Sequence, residues 1–184
     1  LLKIGCNAKL FDSVPLPINT VGAVAFSAQA QFHPLKFLGN IAKNLNIFEQ
    51  TFVREMKGNI AVTDKAEINA KNVIVTTHFP FINKHGLYSL KLYQHRSYVI
   101  ALENAQQTGG MYVDENKKGL SFRNYAGVLL LGGGSHRTGK DGGNWAELRE
   151  FAAKNYKHST EVAHWAAQDC MSLDSVPYIG NYSA

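Results

Sequence analysis

The chain has 184 residues, of which 45% are apolar and 18% charged, and these proportions exclude a disordered or low-complexity protein. This length allows one domain or two small, closely joined ones. The formal net charge is +5, but lysine and arginine are scattered singly along the chain, so we predict no nucleic-acid partner. No apolar run approaches the ~18 residues of a membrane-spanning helix, so we also predict no membrane span.

The two cysteines, Cys6 and Cys170, lie far apart in the sequence and form no CxxC motif. No leader with a charged start, an apolar stretch and a small-residue cleavage site is visible. Both observations favour a reducing compartment, and we expect a cytoplasmic protein. A single structural disulfide between the two cysteines is the alternative.

The first half of the chain predicts a strand, a helix, a second strand, a hairpin and a short buried strand. The helix is the clearest element, because proline suits its first position, at Pro34, and an apolar stripe follows at helical spacing. That stripe consists of Leu35, Leu38, Ile41, Ala42 and Leu45. The wholly apolar triplet 73–75 suggests a strand buried on both faces. The predicted ranges, in order, are 21–26, 34–45, 47–53, 58–63 with 65–70, and 73–75.

The second half consists mostly of predicted strands joined by short turns, which indicates an antiparallel sheet. Asn144 is a candidate cap for a helix over 145–156, with Glu147 at its third position. Residues 161–168 fit a strand or a helix, and we favour the extended form. The other predicted strands are 93–103, 111–113, 120–123 and 127–133. The fold class expected is therefore α+β (mixed α/β), with a predominantly antiparallel sheet and flanking helices.

A glycine-rich loop follows the most apolar strand and carries His136. Gly134, Gly139 and Lys140 fit the spacing GxxxxGK of a phosphate-binding loop. Asp141 then stands where that motif has serine or threonine, and the glycine pair 142–143 weakens a helix at that point, so we disfavour a phosphate site. His136 remains a candidate functional residue because it lies in a loop at the end of a buried strand.

The other sequence motifs limit the kinds of functional site that the chain is predicted to contain. The seven histidines are dispersed and form neither HExxH nor a Cys/His cluster, so no metal site is predicted and most are expected to be structural or on the surface. GxGxxG and Gly-x-Ser-x-Gly are both absent. Arg96 and Arg123 are each flanked by aromatic residues on a predicted strand, and on neighbouring strands they would form a carboxylate clamp. Ordinary surface salt bridges are the alternative for both arginines.

Eight segments, in this order and spacing, resemble FAD-dependent oxidoreductases of the glycine/D-amino-acid oxidase superfamily. The resemblance covers about residues 20–180 and is closest to the bacterial branch whose members often carry a C-terminal Rieske domain. Each segment is weakly specific alone, and the ordered set is more specific. The segments are Gln29–Lys36, Val73–Thr77, Arg96–Ala101, Gly110–Asp114, Ser121–Arg123, Leu131–Gly139, Trp165–Asp169 and Val176–Gly180.

The resemblance implies a division into domains and a set of site residues. Residues 34–87 would form part of an FAD-binding domain, with a helix, a strand and a small meander, while 1–33 and 88–184 would form the substrate-binding domain. The backbone at Val53 would contact the adenine of FAD, and Thr76 and Thr77 would lie near its phosphates and ribose. The residues implied to face the flavin and substrate are Arg96, Tyr98, Tyr112, Arg123 and His136. No catalytic residue is assigned.

The function implied is flavin-mediated oxidation of a C–N bond in an amino acid or related amine, with a Rieske domain or another redox partner in the parent protein. The family's N-terminal GxGxxG and its C-terminal glycine-rich stretch are missing from this sequence. We therefore expect an internal fragment that binds FAD weakly and is inactive alone. The alternatives are a non-catalytic module that binds a small carboxylate or other anion between Arg96 and Arg123, and a P-loop phosphotransferase.

Overall fold

A computed structural model of the chain describes residues 2–82, 87–116 and 119–180. The chain divides into two compact units, residues 1–74 and 75–184. Helices and mostly antiparallel strands occur in the same chain, so the predicted mixed α+β class is confirmed. Within the described ranges, no helix is long and apolar enough to cross a membrane.

The first unit contains one helix and two small antiparallel sheets. The helix α1 begins at Pro34, as predicted, and His33 caps it by accepting a hydrogen bond from the Lys36 backbone N–H at Nδ1, at 3.3 Å. Strand β1 pairs with β2, and β3, β4 and β5 form a sheet in that order. The element bounds are β1(Ala8–Phe11), β2(Ala23–Phe26), α1(Pro34–Ala42), β3(Val53–Lys57), β4(Ile60–Thr63) and β5(Glu67–Asn69), after a short 3-10 turn at Leu2–Ile4.

Two strand predictions in this part of the chain are wrong, and one hairpin is confirmed. Residues 47–52 form no strand, and β3 begins only at Val53. Residues 73–75 also form no strand, and Ile74 is 85% exposed, because no neighbouring strand pairs with this triplet in the described chain. The hairpin around Asp64 is present as β4 and β5, with Ile60 opposite Asn69.

The second unit contains a five-stranded antiparallel sheet with the order β10-β6-β9-β8-β7. The strands predicted here are confirmed, including the extended form of residues 161–168, which lie within β10. The predicted domain boundary lies between residues 87 and 88, one residue after the segment 83–86, which lies outside the described residues. The element bounds are α2(Tyr88–Lys91), β6(Leu92–Glu103), β7(Tyr112–Val113), β8(Ser121–Tyr125), β9(Val128–Arg137), α3(Ala146–Asn155) and β10(Thr160–Ser172).

The core of this unit lies between α3 and one face of the sheet, which we call the helix face. Residues directly opposite each other on paired strands share a face, so Ile100, Leu131 and Phe122 form one row of the helix face. These three side chains are at most 2% exposed, and Phe122 packs edge-on against Phe151 of α3 with ring centroids 5.9 Å apart. The alternate residues of each strand, such as Val99 of β6, belong to the second face.

The cap of α3 differs from the prediction, because the residue at the cap position is Trp145, which makes no side-chain cap hydrogen bond, while Asn144 contacts the first turn from one residue earlier. The Asn144 side chain accepts a hydrogen bond from the Ala146 backbone N–H at 2.6 Å. The helix begins at Ala146, one residue later than predicted, and Trp145 before it already has helical backbone angles. The loop before α3 is therefore fixed to the helix by a side chain as well as by the backbone.

Candidate functional site

Strand β9 continues through the glycines rather than ending before them. It runs to Arg137, and its pairing with β6 shifts so that Tyr98 lies opposite Gly133 while Arg96 lies opposite His136. The shift places one extra residue on β9, which is a β-bulge, and Gly134 within it has φ +59. The phosphate-loop alternative is therefore wrong, because Gly134 lies inside a strand and no helix begins at Lys140.

His136 and Tyr98 form a hydrogen-bonded pair on the helix face. The Tyr98 hydroxyl oxygen lies 3.0 Å from His136 Nε2, and Nδ1 lies 3.0 Å from the Arg137 carbonyl oxygen and 3.2 Å from that of Lys140. Because carbonyl oxygens only accept, Nδ1 carries the proton, and in the neutral ring Nε2 accepts from the Tyr98 hydroxyl. Tyr98 is 8% exposed, so this pair is largely shielded from solvent.

The glycine pair 142–143 is explained by the path of the loop across this pair. Gly143 has φ +59, and a Cβ there would overlap the Gly134 carbonyl oxygen and the His136 ring and would lie 3.0 Å from Tyr98 Cε2. Only glycine fits so close to two rings with this backbone conformation. Trp145 then packs edge-on against Tyr98, with ring centroids 4.8 Å apart. The loop therefore covers the Tyr98–His136 pair.

An ion pair joins α3 to the edge strand β10 beside this cluster. Both Arg149 Nε and Nη2 donate to the Glu161 carboxylate at 2.7 Å, and His164 Nδ1 lies 2.9 Å from the same carboxylate. The hydrogen bond from Arg149 lowers the pKa of Glu161 below its ordinary value, and the same bond raises the pKa of Arg149. His164 in turn packs edge-on against Trp145, at 5.0 Å between centroids.

The two arginines proposed as a carboxylate clamp do not come together. Arg96 lies on the helix face, with its guanidinium carbon 5.8 Å from the centre of the Tyr98 ring. Arg123 lies opposite Leu130, which lies opposite Ala101, and this row belongs to the second face. One small carboxylate cannot contact both faces of a sheet, so the two-arginine clamp, and the anion-binding module built on it, are wrong.

Tyr112 lies apart from the other aromatic candidate. It occupies the edge strand β7, in the same row as Ile100 but three strands away, which is roughly 14 Å at the usual strand spacing. Its hydroxyl donates to the Thr108 carbonyl oxygen at 3.2 Å. The sequence-predicted substrate residues are therefore distributed over both faces, and only Arg96, Tyr98 and His136 are close together.

A row of charged residues on the second face was missed by the sequence reasoning. Asp169 of β10 lies opposite His95 of β6, and His95 lies opposite Arg137 of β9. The guanidinium carbon of Arg137 lies 5.0 Å from the centre of the Tyr93 ring. We call Asp169, His95 and Arg137 the charged row. The alternation of Tyr93 and His95 is visible in the sequence, but the partners from β9 and β10 require the strand register.

Comparison with known proteins identifies the family. The profile of the FAD dependent oxidoreductase family (DAO) matches residues 6–183. The chain belongs to this family. The resemblance described from the sequence is thereby confirmed.

Two relatives indicate how much of a family member the chain represents. A putative Rieske 2Fe-2S iron-sulfur protein, YhfW, from Bacillus subtilis (strain 168) is 28% identical over 198 residues, covering 98% of this chain and 39% of YhfW. A crystal structure of glycine oxidase from Geobacillus kaustophilus superimposes with a TM-score of 0.57 at 19% identity, covering 72% of this chain and 40% of the oxidase. The second match supports the fold alone. The chain thus spans about two fifths of the length of either relative.

The residues expected to contact FAD in this DAO-family chain have atoms suited to that role. Val53 lies on β3, an edge strand, beside a shift in register, so part of the local backbone is not paired with β4. Thr76 is exposed, whereas the Thr77 hydroxyl donates to the Phe79 carbonyl oxygen at 3.1 Å. Val53 belongs to the first unit and both threonines to the second. The unpaired backbone groups beside Val53 can form hydrogen bonds with a base, and the exposed hydroxyl of Thr76 can form one with a phosphate or ribose.

No metal site accompanies these residues in the described part of the chain, where no group of three or more His, Cys, Asp and Glu side chains is placed to hold an ion. Cys6 and Cys170 are both free thiols.

Proposed function

We propose that the parent polypeptide is an FAD-dependent oxidoreductase that oxidises a C–N bond of an amino acid or related amine. In this proposal the chain supplies most of the substrate-binding sheet and part of the FAD-binding domain. The observation that carries it is the five-stranded sheet of a DAO-family chain, with α3 on one face and charged and aromatic side chains on the other.

The residues have distinct proposed roles. When bound, FAD supplies the acceptor for the hydride that leaves the carbon beside nitrogen. Val53, Thr76 and Thr77 stay the sequence-predicted contacts of this cofactor. An arginine of the second face would bind the substrate carboxylate through its planar pair of N–H donors, and Arg123 is the sequence-predicted candidate.

Tyr98 and His136 are proposed to act by position rather than by contact with substrate. Their hydrogen bond joins β6 to β9 at the bulge, directly behind the second face. A rigid support of this kind fixes the strands that carry substrate-binding groups. Arg96 packs on the same ring, and Tyr112 would contribute at the far edge of the sheet.

A redox partner is part of the proposal. The relative YhfW is named as a Rieske iron-sulfur protein, which supports a Rieske domain or similar electron acceptor in the parent of this chain. A two-electron flavin can pass electrons singly to such a centre. The cytoplasmic location stays a prediction.

The proposal is tested on the parent protein, expressed from this coding sequence together with its flanks. We expect a yellow protein that releases FAD on heating, at close to one flavin per chain. Under anaerobic conditions, amino acids and secondary amines should bleach the flavin absorbance, while matched carboxylic acids without nitrogen should not. A parent protein that contains no flavin, or whose flavin no amine reduces, would show that the proposal is wrong.

A further inference from the structure

The glycine-rich loop is held at two points where it crosses the hydrogen-bonded tyrosine–histidine pair. At Lys140, the backbone N–H donates to the Arg137 carbonyl oxygen at 3.1 Å, and the carbonyl oxygen lies 3.2 Å from His136 Nδ1. At Gly143, the backbone lies so close to the pair that a Cβ would be 3.0 Å from Tyr98 Cε2. Two residues join these points, and neither lies in a helix or a strand.

These two residues are Asp141 and Gly142, and both are exposed. Among the described residues, the Asp141 carboxylate forms no ion pair or hydrogen bond, and the Gly142 backbone N–H donates to no carbonyl oxygen. Gly142 has φ +125, a conformation that residues with a side chain rarely adopt. The carboxyl carbon of the first residue and the amide nitrogen of the second are therefore accessible to each other.

The other aspartates of the sequence lack this combination. Each is followed by a residue with a side chain, which hinders attack by the amide nitrogen on the carboxyl carbon. The carboxylates of Asp64, Asp114 and Asp174 each accept a backbone hydrogen bond at 3.0–3.2 Å. Asp169 lies within the paired strand β10. Asp12 is exposed and precedes a serine, so it serves as the comparison for Asp141.

We propose that Asp141 is a site of spontaneous isomerisation to isoaspartate. The Gly142 nitrogen attacks the side-chain carboxyl carbon of Asp141, and the new N–C bond forms as the amide proton and the carboxyl hydroxyl leave as one water molecule. A second water then opens the five-membered imide. Opening at the new bond restores aspartate, whereas opening at the original peptide bond leaves the main chain running through the side-chain carbon. No atom is oxidised or reduced, and the mass is unchanged.

The isomerised chain has one additional main-chain atom between the two held points of the loop. That atom adds one C–C bond of about 1.5 Å to the path. The space beneath Gly143 is already filled, since a Cβ there would overlap the Gly134 carbonyl oxygen and the His136 ring. The added length therefore lifts the loop, and it moves Trp145, whose ring packs 4.8 Å from that of Tyr98. This effect requires neither flavin nor substrate.

The test ages the purified chain at physiological temperature for several weeks. An isoaspartate-specific methyltransferase then transfers the methyl group of S-adenosylmethionine to each isoaspartate carboxylate, and peptic mapping in acid locates the label. We expect about tenfold more label at Asp141 than at Asp12, because glycine follows only the first. Asp141→Asn should be labelled faster, since ammonia leaves in place of water. Asp141→Glu should not be labelled, because its ring would need six members.

Two further measurements complete the test. A Cβ at Gly142 would meet His136 Cβ at 3.6 Å, so Gly142→Ala has room for its methyl group, and it should slow labelling about tenfold. The emission of Trp145 should shift on ageing of the original chain and stay constant in aged Asp141→Glu. Far-UV circular dichroism establishes that the variants are folded.

The outcomes separate the site from its effect on the loop. Absence of label at Asp141, equal label at Asp12, or undiminished label in Gly142→Ala would overturn the assignment of the site. Label at Asp141 without a change in Trp145 emission would overturn the lifting of the loop. Neither result bears on the proposed oxidation of amines, because the chain is measured without flavin.

Discussion

Adding one methyl group at Gly143 tests whether the glycine loop covers the Tyr98–His136 pair. In the Gly143→Ala variant, the new Cβ would overlap the Gly134 carbonyl oxygen and the His136 ring and approach Tyr98. Relief requires the loop to lift or the two rings to separate. Either movement weakens the hydrogen bond between Tyr98 and His136.

The expected loss has two parts. Alanine at φ +59 costs about 1 kcal/mol, because its side chain disfavours the left-handed conformation. Overpacking against the two rings adds about 1–3 kcal/mol, for a total of roughly 2–4 kcal/mol in the free energy of unfolding. The matched control is Gly139→Ala in the same loop, where φ is +80 and no heavy atom lies within 4 Å of the new Cβ. The Gly139→Ala variant should lose only the roughly 1 kcal/mol that arises from the left-handed backbone conformation.

Urea unfolding, followed by tryptophan fluorescence and far-UV circular dichroism, measures both variants. Trp145 packs on Tyr98, so its emission should also shift in Gly143→Ala and remain unchanged in Gly139→Ala. Equal destabilisation by the two substitutions, within about 0.5 kcal/mol, would refute the reasoning, because the cost would then arise from backbone conformation alone.

Three further substitutions address the rest of the unit. Tyr98→Phe leaves His136 Nε2 without its donor and should cost about 1–2 kcal/mol by urea unfolding; no loss would mean that water replaces the hydroxyl. Phe122→Ala should cost about 3–5 kcal/mol, since this side chain is 2% exposed, and a smaller cost would indicate a loosely packed core. Arg149→Met should lower the Tm at pH 7. The pKa of Glu161 is lowered in the folded protein, so its ion pair with Arg149 stabilises the fold above pH 4.5, the ordinary pKa of the carboxyl group. This stabilisation is lost as the pH falls through the folded pKa. The difference in Tm between the variant and the original chain should therefore disappear in acid. A difference that persists in acid would exclude the ion pair as its cause.

The strands of the second unit could be predicted because their signals are local. Alternating or continuous apolar residues bounded by turns mark β6 and β9, and Asn144 accepts a hydrogen bond from the first residue of α3. The triplet 73–75 has an equally strong apolar signal but forms no strand. A strand exists only when a neighbour supplies hydrogen bonds, and this requirement is absent from any local pattern.

The candidate site was harder to predict, because the face of the sheet on which a side chain lies depends on how the strands are aligned with each other. Arg96 and Arg123 both lie on strands beside aromatic residues, and the sequence does not indicate that they point in opposite directions. A shift of one residue exchanges the two faces, and the bulge at Gly134 is a shift of this kind. The charged row was missed for the same reason, since it joins one residue from each of three strands that are distant in sequence.

The start of the helix α1 could be predicted from its local sequence, whereas the burial of its apolar stripe depends on neighbouring elements. Its start at Pro34 was predicted correctly, but it ends at Ala42, three residues before the predicted end. None of its residues is buried, and Leu35 is 74% exposed. A leucine left in water forgoes about 1.5–3 kcal/mol of burial, and a helix of only nine residues is marginal in isolation. The stripe therefore implies apolar cover beyond what the described residues provide. That inference agrees with a chain that spans about two fifths of the length of its relatives.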